Sequence, residues 1–185
     1  MRNRKVRLVL SLGLLSGLVW AGTFATFTDS GTATSTFTAG TVDLVVGGDV
    51  SDAYAFTSIQ MTNMKPGDVK YAPLTIANTG TLGFTYSMST SATNADAKAL
   101  RDQLTLGIKK VATEATCDSA GVGYAASADT LTASGALSAA AIASRSLAAS
   151  ASEVACFRVE LPSTAGDTYL GATTTAPFTC SATQA

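Results

Sequence analysis

Three cysteines, Cys117, Cys156 and Cys180, are the strongest nucleophiles and softest metal ligands in this 185-residue chain, and no histidine accompanies them. That absence removes several chemistries at once. There is no HExxH zinc helix, no Ser-His-Asp triad and no Cys-His dyad. The cysteines show no CxxC spacing, so a Cys₃ metal site has no framework. Neither a P-loop nor a GxGxxG is present. Asp49-Val50-Ser51-Asp52 offers oxygens without the regular ligand spacing of a calcium loop, and reads as a solvated turn. Cys180 has neither a histidine nor an adjacent cation to activate it, and reads as a packed strand residue. No catalytic, cofactor-binding or metal-binding residue is therefore assigned, and no cofactor is expected.

The chemistry left to the cysteines is oxidation, which depends on the compartment. Arg2, Arg4, Lys5 and Arg7 form a basic start, followed by an apolar run from Leu8 to Trp20 broken by Ser11, Gly13, Ser16 and Gly17. This run is short for a membrane-spanning helix, which takes about 20 apolar residues. It reads as an export signal over residues 1–25. Small residues at Thr23 and Ala25 suit a signal peptidase, giving a cut between Ala25 and Thr26; a cut after Ala21 is the second option. No membrane span is expected after processing. Outside the cell a disulfide is permitted, and three cysteines allow one bridge and one spare thiol. Cys117, in a loop, and Cys156, in a strand, are the expected pair.

Charge follows from the same cut. Four of the 12 Lys and Arg residues, and none of the 13 Asp and Glu residues, precede Thr26, so the remainder carries eight positive against 13 negative charges. No basic patch tracks a phosphate backbone, and nucleic acid is not expected as a partner.

The elements that would position any site are strands. Threonine recurs at alternate positions beside Val, Phe, Leu and Tyr, and this β-branched residue favours strands over helices. Phe37–Val46 reads as strand in two phases, broken at Gly40, where the apolar positions change parity. Tyr54–Met61 reads as strand. Lys65-Pro66-Gly67-Asp68 is a turn, with Pro presetting φ and Gly accepting positive φ. Val69–Ala77 follows, and Pro73 demands a free edge or a bulge there. Leu82, Phe84, Tyr86 and Met88 alternate as a half-buried strand. Asn94–Gln103 reads as a short helix capped by Asn94. Val154–Leu161 and two closing segments complete about eight strands, while residues 113–150 carry no clear pattern. The count predicts an all-β fold, an antiparallel β-sandwich of jelly-roll type with one short helix near residues 95–103. The domain would span residues 41–185, preceded by an extended arm over residues 26–40.

Three segments carry a resemblance. Gly22 to Asp29 with Ala39-Gly40-Thr41-Val42-Asp43-Leu44, then Met64 to Asp68 with Ile76-Ala77-Asn78-Thr79-Gly80-Thr81-Leu82, then Phe178 to Gln184, are similar to the leader junction, the "KPGD … NxG" region and the closing strand of the TasA/camelysin family. The resemblance implies secretion through a SipW-type signal peptidase and a cut after Ala25. It further implies a jelly-roll subunit that assembles with copies of itself into extracellular, biofilm-matrix fibres. Some members are labelled metallopeptidases, an activity this histidine-free chain does not inherit. The arm, with Phe27, Phe37 and Gly40, either docks on its own domain as an edge strand or is donated head to tail into the next subunit. A monomeric secreted factor or metallopeptidase-like enzyme of the camelysin type, and a fibre-anchoring accessory subunit, are the competing expectations.

Overall fold

The computed structural model describes residues 35–36, 38–49, 54–94, 96–117 and 128–185. The export signal, Ala25, Thr26, Phe27 and Phe37 lie outside the described residues. The chain divides into two compact units, Met1–Thr38 and Ala39–Ala185, and all the elements below belong to the second.

Among the described residues it has ten strands: β1 (Leu44–Val46), β2 (Val69–Asn78), β3 (Phe84–Thr90), β4 (Thr93–Asn94), β5 (Thr105–Val111), β6 (Thr130–Ala136), β7 (Ala141–Leu147), β8 (Ser152–Glu160), β9 (Thr174–Thr175) and β10 (Phe178–Gln184). One antiparallel sheet runs β1-β2-β8-β5-β6, a second runs β10-β3-β7, and β4 pairs with β9. The fold is all-β. A jelly roll has eight strands and two Greek keys; the two larger sheets here have five and three strands.

Alternation builds the core. On β2 every second residue, Ala72, Leu74 and Ile76, is buried, and the register sets these opposite Phe157, Ala155 and Glu153 of β8. On β3, Phe84, Tyr86 and Met88 supply the facing layer. Leu74 and Ile76 of β2 and these three side chains of β3 join Leu106, Ile108 and Ile142 in one apolar cluster between the sheets. Pro73 is opposite Cys156, while β1 covers only Ile76–Asn78 of β2, so the edge beside Pro73 carries no strand among the described residues.

Three expectations are corrected. Asn94–Gln103 is not a helix: Asn94 belongs to β4, and only Leu100–Asp102 turns, as a single 3₁₀ turn. Short polar side chains take the backbone groups a helix needs. Asn94 Oδ1 accepts from the Arg101 amide at 2.9 Å, and Asp96 accepts from the amides of Lys98 and Thr173 at 2.9 Å each. Ala99 sits at φ 55°, in the left-handed region, which ends any right-handed helix. Of the strand expected over Phe37–Val46, the described residues 38–46 form strand only at Leu44–Val46. Tyr54–Met61 is not a strand but an irregular strap with one 3₁₀ turn at Thr57–Ile59.

The two sides of the sandwich differ. On one side the edge strands β6 and β7 meet, with the Thr132 hydroxyl donating to the Ala141 carbonyl. On the other, the edges are β1 in one sheet and β10 in the other.

Candidate functional site

That second side holds a cleft of about 930 Å³, lined by Leu44 and Val46 of β1, Phe178 and Cys180 of β10, and the strap residues Phe56 and Met61. Its floor is the core itself, with Leu74, Leu104 and Val159 reaching the surface of the cavity. The lining is mixed: Gln60, Asn63 and Thr173 to Thr175 stand beside the apolar side chains, and the inward positions of β10, Phe178, Cys180 and Ala182, pack on the core with no covering sheet strand among the described residues. Three rings meet at one end: Phe157 stands 5.1 Å from Phe56 and 5.3 Å from Phe178, both edge to face. β10 pairs with β3 along Phe178–Gln184, and its other edge pairs with no strand among the described residues. A strand edge that is unpaired among the described residues therefore borders the cleft.

None of the sequence-derived candidates within the described residues, Gly40, Lys65 to Asp68, Cys117 and Cys156, lines this cleft. Gly40 precedes the segment Thr41–Asp43, which docks on the Asn78–Leu82 turn. Thr41 N–H donates to Thr81 Oγ1 at 2.9 Å, and the amides of Thr81 and Leu82 donate back to the Thr41 carbonyl at 2.9 and 3.1 Å. Thr79 Oγ1 donates to Asp43 Oδ2 at 2.6 Å. Gly80 allows this approach: a Cβ there would collide with the Thr41 carbonyl oxygen and stand 2.8 Å from the Asp43 nitrogen. Asn78, 1% exposed, holds the turn from within. Its amide nitrogen donates to the carbonyls of Leu82 (2.8 Å), Leu147 (3.2 Å) and Ala148 (3.1 Å), and its oxygen accepts from Gly80 N–H at 3.0 Å. The two motifs read separately in the sequence thus form one joint, at which the chain leaves the domain towards residue 38.

Lys65-Pro66-Gly67-Asp68 closes the far end of the strap. Gly67 has φ +93°, and Asp68 N–H donates to the Lys65 carbonyl at 3.0 Å, the geometry of a type II turn. Gly67 N–H reaches the Leu161 carbonyl at 2.7 Å, which pins the turn to the end of β8. Cys117 and Cys156 are joined by a disulfide with Cα atoms 5.3 Å apart. Cys180 is a free thiol, and burial pushes its pKa up to about 11. At neutral pH it is protonated and a poor nucleophile.

One cluster escaped the sequence reading. Glu153 of β8 is 7% exposed. It accepts from Arg145 of β7 through two bonds, at 2.9 and 2.8 Å, and from the Tyr86 hydroxyl of β3, with Lys110 of β5 at 3.6 Å. Burial alone would raise the Glu153 pKa; the hydrogen bonds from Arg145 and Tyr86 and the nearby positive charges more than offset it and hold it low. Burial, with the bond to Glu153, pushes the Tyr86 phenol up. The charge is fully partnered and ties the two sheets together. The clue in the sequence is an opposite-charge pair, Arg145 and Glu153, inside a stretch otherwise made of Ala, Ser and apolar residues.

The model of the camelysin metallo-endopeptidase family matches residues 4–115, more than half of the chain. The chain belongs to the camelysin family. No curated protein matches it. The match covers the joint at Gly40 and Gly80, the Lys65–Asp68 turn and the strap. The family's description implies a metal, and the donors present do not fit one of the peptidase type. This camelysin-family chain has no histidine, and among the described residues no three His, Cys, Asp or Glu side chains group in a way that could hold an ion. Among the described residues no helix is long and apolar enough to cross a membrane.

Proposed function

We infer that this camelysin-family chain is a secreted structural subunit of extracellular, biofilm-matrix fibres. Copies assemble head to tail, each donating residues 26–40 as a strand to the next. The observation that carries this reading is the cleft beside β10: a cavity floored by core side chains, next to a strand edge that pairs with no strand among the described residues. A donated strand satisfies both at once. The arm fits the role by composition and reach. It alternates Thr with Phe and small residues, and 15 extended residues span about 50 Å, against about 20 Å for the seven residues of β10. A seven-residue pairing therefore leaves a tether long enough to bridge two subunits. About six new backbone bonds at roughly 0.5–1.5 kcal/mol each, and a buried phenylalanine at about 1.5–3 kcal/mol, set the strength of the contact. Because the arm and the cleft are different surfaces, the contact is heterologous, and it propagates a filament wherever the rotation between copies does not close a ring.

Export through a SipW-type signal peptidase, with the cut between Ala25 and Thr26, generates the free arm. An accessory or anchoring protein with a similar arm would enter the same cleft at a fibre end. The family's name favours a second reading, a monomeric secreted peptidase. Sedimentation and negative-stain microscopy of the chain beginning at Thr26, beside one lacking residues 26–39, separate the two. Fibres from the first and folded monomers from the second support the subunit reading. A wild-type chain that stays monomeric at all concentrations and pH values overturns it.

A further inference from the structure

The strap Tyr54–Met64 lies where an incoming strand has to go. Phe56, Ile59, Met61 and Met64 pack against the core cluster from the open side. Phe56 bridges the sheets, with its ring 5.1 Å from Phe157 of β8 and 6.2 Å from Phe178 of β10. The manner of attachment is the telling feature. The backbone bonds of this segment are internal, Thr57 N–H to the Ala55 carbonyl at 2.7 Å and Gln60 N–H to the Thr57 carbonyl at 3.1 Å, and among the described residues none joins it to β2 or β10. It is held by side chains, and both of its ends are built as fixed points. At one end the Tyr54 ring sits on Gly47, where a Cβ would collide with it; at the other the Lys65–Asp68 turn is bonded to Leu161. Asn63, near that second end, is in the left-handed region at φ 52°.

We propose that this strap is a self-docked cover, which shields the cleft in the free subunit and is displaced when the arm of a second copy enters. The proposal rests on the strand-donation reading and adds a control step to it. The strap supplies apolar cover, and among the described residues it makes no backbone bond to the edge of β10, whereas a donated strand supplies both, so the exchange runs towards the polymer. The cover meanwhile keeps Leu74, Leu104 and Val159 from water before a partner arrives, which limits promiscuous sticking of the free subunit. Because the strap must leave first, assembly acquires a barrier set by its apolar contacts.

Methionine footprinting on the unsubstituted chain from Thr26 tests this. Met61 and Met64 are in the strap, and Met88, 3% exposed, is an internal reference in the core. Under mild peroxide, Met61 and Met64 are expected to oxidise several-fold faster in pelleted polymer than in monomer, relative to Met88. Equal or slower oxidation in polymer means that the strap stays put, and overturns the proposal while leaving strand donation standing. Failure to polymerise at all overturns both. A Phe56→Trp chain gives an independent readout, since the single native tryptophan, Trp20, lies before Thr26. Its emission is expected to shift to the red in step with pelletable mass; an unchanged or blue-shifted spectrum in the polymer contradicts displacement.

Discussion

Glu153→Gln removes one charge and almost no volume from the polar clamp between the sheets, which makes its cost readable. In the wild type the carboxylate takes two bonds from Arg145, at 2.9 and 2.8 Å, and one from the Tyr86 hydroxyl. Hydrogen bonds to charged groups contribute about 1.5–3 kcal/mol each way they are lost, and breaking a fully buried pair costs about 3–5 kcal/mol. The Arg145 side chain is 33% exposed, so water recovers part of that loss. The expected destabilisation is about 2–3 kcal/mol, or a fall in Tm of about 5–10 °C for a chain of this size. The pH dependence fixes the cause. The folded pKa of Glu153 is depressed, so its contribution is present in full above the unfolded value near 4.5 and is lost as the pH falls from there through the folded value. Urea unfolding at a series of pH values should show wild type and variant far apart at pH 7 and converging below about pH 4.5. A difference under about 0.5 kcal/mol at pH 7, or one that does not narrow in acid, refutes the clamp.

Four further outcomes are expected. Secreted protein should begin at Thr26 by N-terminal sequencing, with Gly22 as the start that contradicts the proposed cut. Reducing the Cys117–Cys156 bridge, which spans 39 residues, should cost up to about 4 kcal/mol by chain-entropy arithmetic, measured by unfolding with and without reductant. Gly80→Ala should cost about 1–3 kcal/mol, because the added Cβ meets backbone rather than a movable side chain, and hydrogen exchange should report freed amides at Thr81 and Leu82. Cys180 should label slowly with maleimide at pH 7 and faster as the pH climbs towards about 11, and it should be shielded further in polymer.

The strands with clean alternation were legible from sequence. Val69–Asn78 and Phe84–Thr90 each bury one parity against a single core, so period alone locates them. The Lys65–Asp68 turn was legible because Pro and Gly restrict φ locally. Asn94–Gln103 misled, since its helical composition is overridden by side-chain bonds from Asn94 and Asp96 that depend on Arg101 and Thr173, one of them far along the chain. Tyr54–Met61 misled in the opposite direction: its aromatic residues are set by the cleft they cover rather than by a ladder. The strands β6 and β7, rich in Ala and Ser, have too little apolar contrast to show a period. The site itself is a product of topology. Nothing local to Phe178–Gln184 says that one edge has no partner strand among the described residues; that follows from the order in which the described strands share two sheets and a small pair.

Strand donation by the arm into this cleft is tested most directly by the free thiol already inside it. Single cysteines placed one at a time at positions 29–36 of the chain from Thr26, with the Cys117–Cys156 bridge intact, can reach Cys180 of a neighbouring subunit only if the arm lies beside β10, because a disulfide needs Cα atoms about 4.4–6.8 Å apart. The account predicts a covalent ladder of dimers, trimers and higher species on non-reducing gels, strongest at one or two positions of a single parity, lost on reduction and lost with Cys180→Ala. Absence of a ladder at every position, while fibres still form, contradicts it.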